Sequence, residues 1–333
     1  MKTFSKNALI LLGSIFVSTS CHKDEIAVPS NTAVSPTELF TVENDRVAFK
    51  TANDFGKQIQ ALKKLSPSDL ISWNDKSNVT SLFEVAQNKE ALSANARVSS
   101  ENQSQADLSD AVNDKYFASL LNSNGEFSIG NKVIRITPNI VFIGNKSLAD
   151  RIRKLDATKY ANLLPNKFIV DQGIIIGRTN HLSNSKARMA FNGVDHTIYN
   201  WDGSHRVATV IYNDNWLVYR SIGTKVKFQN KRWWGGWWED NTDALGLHYA
   251  VTYDVSRVTG IQQYVVLTPP SQSCQNCGNI TDTIDFDIAE TGWGGDGPSI
   301  SLIDSPFDFK SFTTYSTATW SGNTHNDSLE EDQ

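Results

Sequence analysis

The chain has 333 residues, of which 39% are hydrophobic, so it is long enough for one large domain or two of ordinary size with a packed core. It carries 31 lysines and arginines against 36 aspartates and glutamates, a formal net charge of −5, and basic residues are not concentrated in any segment. This charge balance argues against a protein that follows the phosphate backbone of DNA or RNA, and we expect no nucleic-acid partner.

The amino terminus has the features of an export signal. Lys2 and Lys6 precede an apolar run of about ten residues, 8–17, which is too short to cross a bilayer. The small polar residues 18–20 follow, and then Cys21. The pattern predicts a signal peptide that is removed before Cys21. The alternative is a plain signal peptide in which Cys21 has no special role.

The residues around Cys21 resemble a bacterial lipoprotein signal, with Ser18 in the place of the usual leucine, as in relaxed signals of Bacteroidetes lipoproteins. Lys23, Asp24 and Glu25 resemble the export signal of Bacteroidetes surface lipoproteins. The resemblance implies that Cys21 carries acyl chains such as palmitate. It also implies that the protein is anchored in the lipid bilayer of the outer membrane and faces the cell exterior.

Helical patterns dominate the first half of the mature chain. Thr51, with Asp54 three residues later, and Ser66, followed by Pro67, have the signatures of helix N-caps before apolar residues at helical spacing. Turn signals in "NSNGEFSIGNKVIRI" predict a β-hairpin. The predicted helices begin at Thr51, Ser66, Ser81, Asp110 and Ser147.

From Phe168 onward, short apolar segments bounded by Asn, Asp and Gly predict strands. "LGLHYAVTYDV" is the clearest strand, because alternate residues from Leu245 to Val255 are apolar and those between them are mostly polar. One dry face and one wet face favour an antiparallel sheet. The composition becomes polar after Pro270, and the final "SLEEDQ" is expected to be a frayed acidic tail.

These patterns predict an α+β protein, with N-terminal helices and a β-hairpin region followed by an antiparallel β-sandwich-like or barrel-like region. The predicted divisions are a signal peptide (1–20), a lipidated tether (21–45), an N-terminal α+β region (46–166), an antiparallel β region (167–268) and a polar Ser/Thr/Asp-rich C-terminal segment (269–333). The body resembles uncharacterised Bacteroidetes lipoproteins in "FASLLNSNGEFSIGNKVIRI" and "VYRSIGTKVKFQ". This resemblance implies no activity.

Cys274 and Cys277 form a C-Q-N-C sequence in what reads as a polar loop. Outside the cytoplasm two such thiols are expected to form a small disulfide loop. A metal site or a redox pair is the alternative, although no second Cys-x-x-C or spaced histidine pair accompanies them.

The sequence "RWWGGWW" places Trp233, Trp234, Trp237 and Trp238 around two glycines. Indole rings stack on the apolar faces of sugars or insert into the headgroup zone of a membrane, so the cluster is a candidate ligand-binding platform. The alternative is that at least one pair of these rings belongs to the core, because tryptophan is buried on average.

Acidic residues are concentrated between Asp282 and Asp296. Asp282, Asp285 and Asp287 are oxygen ligands of the kind that hold calcium, although their spacing differs from an EF-hand loop. Asp285 and Glu290 are candidates for the paired carboxylates of a glycosidase. The alternative is the solvated face of a strand.

Catalytic sequence motifs are not found in the chain: it has no H-E-x-x-H, no G-x-S-x-G and no phosphate-binding glycine loop. Asp195 with His196, and Asp202 with His205, lie in turn-like sequence, where aspartate serves the backbone. We therefore expect no catalytic residue, no cofactor and no metal other than the calcium noted above. Whether the protein is an enzyme stays open, with the balance against it.

The first functional hypothesis is a non-enzymatic surface lipoprotein that binds a glycan, a host or surface protein, or an envelope component. The alternatives are a secreted-type hydrolase with paired carboxylates and an envelope scaffolding lipoprotein.

Overall fold

Three β-sheets and a group of short helices make up the computed structural model, which describes residues 39–88, 108–164, 167–179, 193–231, 237–254, 262–289 and 309–332. These ranges all belong to one unit of the chain, Pro36–Gln333. The mixture of helices with antiparallel sheets confirms the predicted α+β class.

The first sheet has the strand order β1-β2-β3-β4-β5-β7-β6, and only the β2–β3 pair is parallel. Its strands are β1 (Thr41–Val42), β2 (Val47–Phe49), β3 (Glu126–Ile129), β4 (Lys132–Ile136), β5 (Ile140–Asn145), β6 (Phe168–Asp171) and β7 (Ile174–Arg178). The β3–β4 hairpin is the predicted one, and Gly130 provides the positive φ of 58° at its turn. The sheet continues to Arg178, beyond residue 166, where the N-terminal region was predicted to end.

The helices that precede the hairpin begin where the cap signatures predicted. They are α1 (Ala52–Leu62), α2 (Pro67–Lys76) and α3 (Leu82–Gln87). The side chains of Thr51, Ser66 and Ser81 each accept a hydrogen bond from the backbone amide three residues later. For Thr51 and Ser81 the carboxylate of the acidic residue at that position accepts a hydrogen bond from the backbone amide of the cap residue, which completes a capping box. The predicted end of the third helix, at residues 89–92, lies outside the described residues.

Two predicted helices are different in the structure. The segment 110–121 contains a turn of helix at 108–111 and then α4 (Lys115–Leu120), because Asp114 accepts hydrogen bonds from the backbone amides of Tyr116 and Phe117 and starts a new helix. Ser147 caps no helix. It lies inside a 3-10 turn (Lys146–Leu148) that runs into α5 (Ala149–Arg153), and a second 3-10 turn (Ala157–Tyr160) follows.

The second and third sheets are antiparallel and pack face to face. The second sheet joins β8 (Gly193–Asn200), β9 (His205–Asn215), β10 (Tyr219–Lys231), β11 (Trp237–Glu239) and β15 (Asn279–Ile288). The third joins β12 (Thr242–Asp254), β13 (Tyr264–Leu267), β14 (Gln272–Cys277), β16 (Phe309–Trp320) and β17 (Asn323–Asp332). Buried apolar side chains from both sheets meet between them, so the arrangement is sandwich-like.

The predicted dry face of β12 points into this sandwich. Leu245, Leu247, Tyr249 and Val251 are buried, whereas His248 and Ala250 between them are half-buried. On β10 the even-numbered residues Ile222, Val226 and Phe228 enter the same core. Because side chains alternate along a strand, Lys225, Lys227 and Gln229 point to the opposite face of the second sheet.

The prediction of a frayed acidic tail at the end of the chain is wrong. Residues 328–332 continue β17, which pairs with β16 from Trp320↔Asn323 to Ser311↔Asp332. Ser321 and Gly322 connect the two strands with φ values of 52° and 76°, the left-handed backbone of a tight hairpin turn. Leu329 is buried, and this apolar contact holds an otherwise polar strand on the sheet.

A separate aromatic core lies between the helices, the first sheet and the turn that leads into β10. Phe117 is fully buried there, with its ring centroid 4.3 Å from that of Tyr219 and 5.8 Å from that of Phe127. Trp216 also belongs to this core. The packing fixes α4 against the start of β10, which determines where the residues on the outer face of the second sheet lie.

Candidate functional site

A cleft of about 690 Å³ lies on the outer face of the second sheet, the face that points away from the sandwich core. Strands β9, β10 and β15 contribute its floor, β11 contributes one rim, and α3, the 108–113 segment and α4 form the opposite wall. Its volume is within the usual range for small-molecule sites. Among the residues that line it are Asp110, Asn113, Lys115, Arg206, Lys225, Lys227, Gln229, Trp237, Glu239 and Asn279.

Trp237 forms the aromatic part of this cleft. It is half-buried on β11, and the guanidinium carbon of Arg206 lies 4.4 Å from its ring centroid. Arg206 Nε donates a hydrogen bond of 2.9 Å to Gln229 Oε1, and the two residues are opposite each other in the β9–β10 register. Arginine stacked on indole is a favourable cation–π arrangement, and it leaves a flat edge with hydrogen-bond donors.

The structure describes the other three candidate tryptophans only in part. Trp238 is a β11 residue opposite Asn230, and its side chain lies outside what the structure describes. Trp233 and Trp234 lie outside the described residues. The platform of four indoles therefore stays a prediction, with Trp237 as its described member.

A lysine, an amide and a carboxylate form a buried hydrogen-bonded network at the cleft, in which Lys225 and Asn113 line the cleft. Lys225 Nζ donates a hydrogen bond to Asn113 Oδ1. Asn113 in turn donates to Asp214, from its backbone nitrogen to Oδ2 at 3.2 Å and from Nδ2 to Oδ1 at 3.0 Å. All three residues are buried.

Burial shifts the pKa values of Asp214 and Lys225 in the directions that favour the uncharged forms. Desolvation raises the pKa of Asp214 to about 7, against the hydrogen bonds from Asn113 and the charge of Lys225, which lower it. Desolvation and the neighbouring Lys227 lower the pKa of Lys225 well below its usual value, and Asp214 and Asp110 oppose that shift. The network therefore contains a lysine and an aspartate that each favour the uncharged form more than exposed groups do.

The wall of the cleft is oriented by a second buried carboxylate. Asp114 caps α4 and accepts a 2.5 Å hydrogen bond from the Tyr219 hydroxyl. The first residue of that helix is Lys115, which lines the cleft. Desolvation lowers the pKa of Lys115, while the charges of Asp282 and Asp114 raise it.

The acidic residues predicted to be a calcium or catalytic cluster lie along β15 and have other contacts. Asp282 accepts a 2.5 Å hydrogen bond from the Tyr249 hydroxyl, and Asp287 forms a 2.7 Å ion pair with Arg220. Burial raises the pKa of Asp285. Within the described part of the chain, no group of three or more His, Cys, Asp or Glu side chains is arranged to hold a metal ion. Glu290 lies outside the described residues, so the carboxylate pair with Asp285 stays a prediction.

The described Asp–His pair belongs to a turn. One carboxylate oxygen of Asp202 accepts the backbone N–H groups of Ser204 and His205, and His205 Nδ1 lies 3.0 Å from the other oxygen. The His205 ring also packs against Trp320 in a tilted arrangement, with ring centroids 4.0 Å apart. Aspartate serves the backbone here, as expected for an Asx turn before a strand.

Cys274 and Cys277 are joined by a disulfide bond. They belong to β14, opposite Leu245 and Thr242 of β12, so the predicted polar loop is wrong. Both sulfur-bearing side chains pack against the sandwich core, which includes Leu245 and Phe228.

The residues of the predicted lipoprotein signal, Cys21, Lys23, Asp24 and Glu25, lie outside the described residues. None of the helices in the described ranges has both the length and the hydropathy to cross a membrane.

The chain was compared with protein-family models, curated proteins and solved structures. No protein-family model matches the chain, and no curated protein matches it. A crystal structure of a DUF4848 family protein from Bacteroides thetaiotaomicron aligns over 87% of this chain and 99% of its own length, with 11% sequence identity and a TM-score of 0.23.

Sequence reasoning found Trp237 but missed the residues that accompany it in the cleft. Arg206, Lys225 and Lys227 fall in segments that were predicted only as strands, and Asn113 falls in a segment that was predicted as a helix. The sequence signal that could have found the two lysines is the alternation in "TKVKFQ". It places both lysines on one face of a strand and the apolar residues between them on the other face.

Proposed function

We propose that this protein is a surface-anchored outer-membrane lipoprotein whose cleft binds a glycan. The observation that carries the proposal is Trp237 with Arg206 stacked on it at the rim of a polar cleft of about 690 Å³. Sugars present apolar ring faces that stack on indole and hydroxyl groups that need both donors and acceptors.

The polar groups around Trp237 supply both kinds of hydrogen-bonding group. Arg206 and Lys227 are donors, Glu239 is an acceptor, and Gln229 and Asn279 have amide groups that serve as either. Several of them already position one another: Asn279 Nδ2 donates to Glu239 Oε1, and Arg206 donates to Gln229. Side chains held in this way lose little conformational entropy when a ligand arrives, which favours binding.

Glycan binding is tested on the mature protein with a glycan array, followed by calorimetry on the best glycan. Trp237→Ala is expected to weaken binding at least tenfold, about 1.4 kcal/mol, because the stacking surface is lost. Arg206→Lys keeps the charge but removes the planar group over the indole, so a smaller loss is expected.

Tyr264→Ala is the matched control, because Tyr264 is an aromatic residue 42% exposed on β13, outside the cleft. It is expected to bind like the wild type. Unchanged affinity in Trp237→Ala, or an equal loss in Tyr264→Ala, would contradict the proposed site. An array on which no glycan binds would contradict glycan recognition itself.

The anchoring part of the proposal rests on the resemblance of residues 18–25 to surface lipoprotein signals. Labelled palmitate is expected to be incorporated in the wild type and lost in Cys21→Ser. Added protease is expected to digest the protein on intact cells, and replacement of Lys23, Asp24 and Glu25 by alanine is expected to protect it. Palmitate incorporation that survives Cys21→Ser would contradict the assignment of the anchor.

A further inference from the structure

The floor of the cleft contains a side chain that glycan binding does not require. Lys225 is 7% exposed, lines the cleft, and donates from Nζ to the amide oxygen of Asn113. Burial of a lysine whose ammonium group is hydrogen-bonded to an uncharged amide is costly, because the ammonium group loses its hydration. Asp214, the nearest buried acid of this network, already accepts two hydrogen bonds from Asn113.

A second lysine adds to this cost. Lys227 is two residues further along β10, on the same face of the strand, and it interacts directly with Lys225. Burial and this like charge lower the pKa of Lys225, against the opposing charges of Asp214 and Asp110. An adjacent cationic group and a desolvated pocket are the two conditions that convert a lysine into a nucleophile.

We propose that Lys225 is a nucleophilic amine that forms an imine with a 2-oxo carboxylic acid bound in the cleft. The neutral amine donates one N–H to Asn113 Oδ1, and its lone pair attacks the carbonyl carbon. The carbon–nitrogen bond forms as the carbonyl π bond breaks, giving a carbinolamine. Loss of the former carbonyl oxygen as water, with both hydrogens of the amine, leaves the C=N bond. The step is neither an oxidation nor a reduction.

The neighbouring charges select the substrate class. Lys227 also lines the cleft, so its ammonium group is placed to pair with a carboxylate attached to the reacting carbonyl. A neutral aldehyde or ketone lacks that partner. This inference goes beyond glycan binding and does not rest on it, because it uses the floor of the cleft and not Trp237.

The test is reductive trapping on the mature wild-type protein. Pyruvate is added with cyanoborohydride at pH 7.5, and peptide mass mapping reports the rate of modification at each lysine. Lys225 is expected to be modified at least tenfold faster than Lys231, an exposed lysine of the same strand. Equal or slower modification at Lys225 would overturn the proposal, and this comparison needs no variant that has to fold.

Two further arms test the substrate class. Glycolaldehyde replaces pyruvate as an uncharged carbonyl probe, and Lys227→Met is compared with the wild type for both probes. Lys227→Met is expected to slow trapping of pyruvate at Lys225 at least fivefold more than trapping of glycolaldehyde. An equal effect on the two probes would overturn the assignment to 2-oxo acids. Tyr264→Ala, at a residue outside the cleft, is expected to trap pyruvate at the wild-type rate. Trapping is measured without any glycan, which separates this result from the glycan test.

Discussion

The buried carboxylate of Glu126 provides the sharpest test of how the N-terminal half is held together. Its side chain is 0% exposed and receives two hydrogen bonds from Arg153, at 3.0 Å from Nε and 2.5 Å from Nη2. Arg46 Nη1 lies 3.5 Å from the same carboxylate, and the Arg46 side chain is only 6% exposed. Replacement by alanine therefore strands one arginine in the interior, while Arg153, at 42% exposed, can turn to water.

We expect Glu126→Ala to lower the free energy of unfolding by about 3–5 kcal/mol, the usual cost of removing one partner of a buried ion pair. Glu43 is the matched control, because it pairs with Lys146 at 2.5 Å, but the two side chains are 43% and 38% exposed. Glu43→Ala is expected to cost about 0–1 kcal/mol. The measurement is urea unfolding followed by tryptophan fluorescence.

A second pair of variants identifies the source of the loss. Glu126→Leu alone still leaves Arg46 buried without its carboxylate, whereas Glu126→Leu with Arg46→Met removes both interior charges. The double variant is expected to be more stable than Glu126→Leu alone, because well-packed apolar residues replace buried ion pairs at little cost. The reasoning is refuted if Glu43→Ala and Glu126→Ala cost the same, or if Arg46→Met makes Glu126→Leu worse.

Further outcomes are expected from the core, the cleft and the disulfide. Phe117→Ala should cost about 3–5 kcal/mol in the same urea assay, because it empties the centre of a fully buried aromatic cluster. The pKa of Asp214 is raised to about 7 in the folded state, so the proton on Asp214 stabilises the folded state. This stabilisation is present below about pH 4 and is lost as the pH rises to about 7. Asp214→Asn should therefore flatten the fall in urea midpoint between pH 4.5 and 7.5. Replacing Cys274 and Cys277 by serine should cost about 2 kcal/mol or less, since the two residues are three apart and close a small loop.

The parts of the fold that were predictable from sequence are those set by local contacts. Thr51 and Ser66 were recognised as caps because the bonds that start a helix join residues three apart. Ser147 has the same signature and caps nothing, because the chain there leaves β5 directly into a 3-10 turn. The final strand was missed for the complementary reason: β17 is polar, and only its pairing with β16 and the burial of Leu329 make it a strand.

The cleft was not predictable because its parts are far apart in the chain. Asn113 is 112 residues from Lys225 and 101 residues from Asp214, yet the three share one hydrogen-bonded chain. No period or spacing in the sequence reports a contact of that range. Trp237 was identified only because "RWWGGWW" is unusual in composition, and its stacking partner Arg206 occupies an ordinary position on β9.

The two faces of β10 explain why the unusual residues are at this site. Val226 and Phe228 pack in the sandwich core and hold the strand in place whatever lies on its other face. Lys225 and Lys227 alternate with them and line the cleft on the opposite face, where apolar residues would carry no electrostatic cost. Buried lysines lower stability unless they are compensated, and departures from local rules are concentrated at functional sites. Because one face of β10 is anchored in the core, the strand tolerates buried lysines that lower stability on its other face. This is the physical reason to expect function in the cleft.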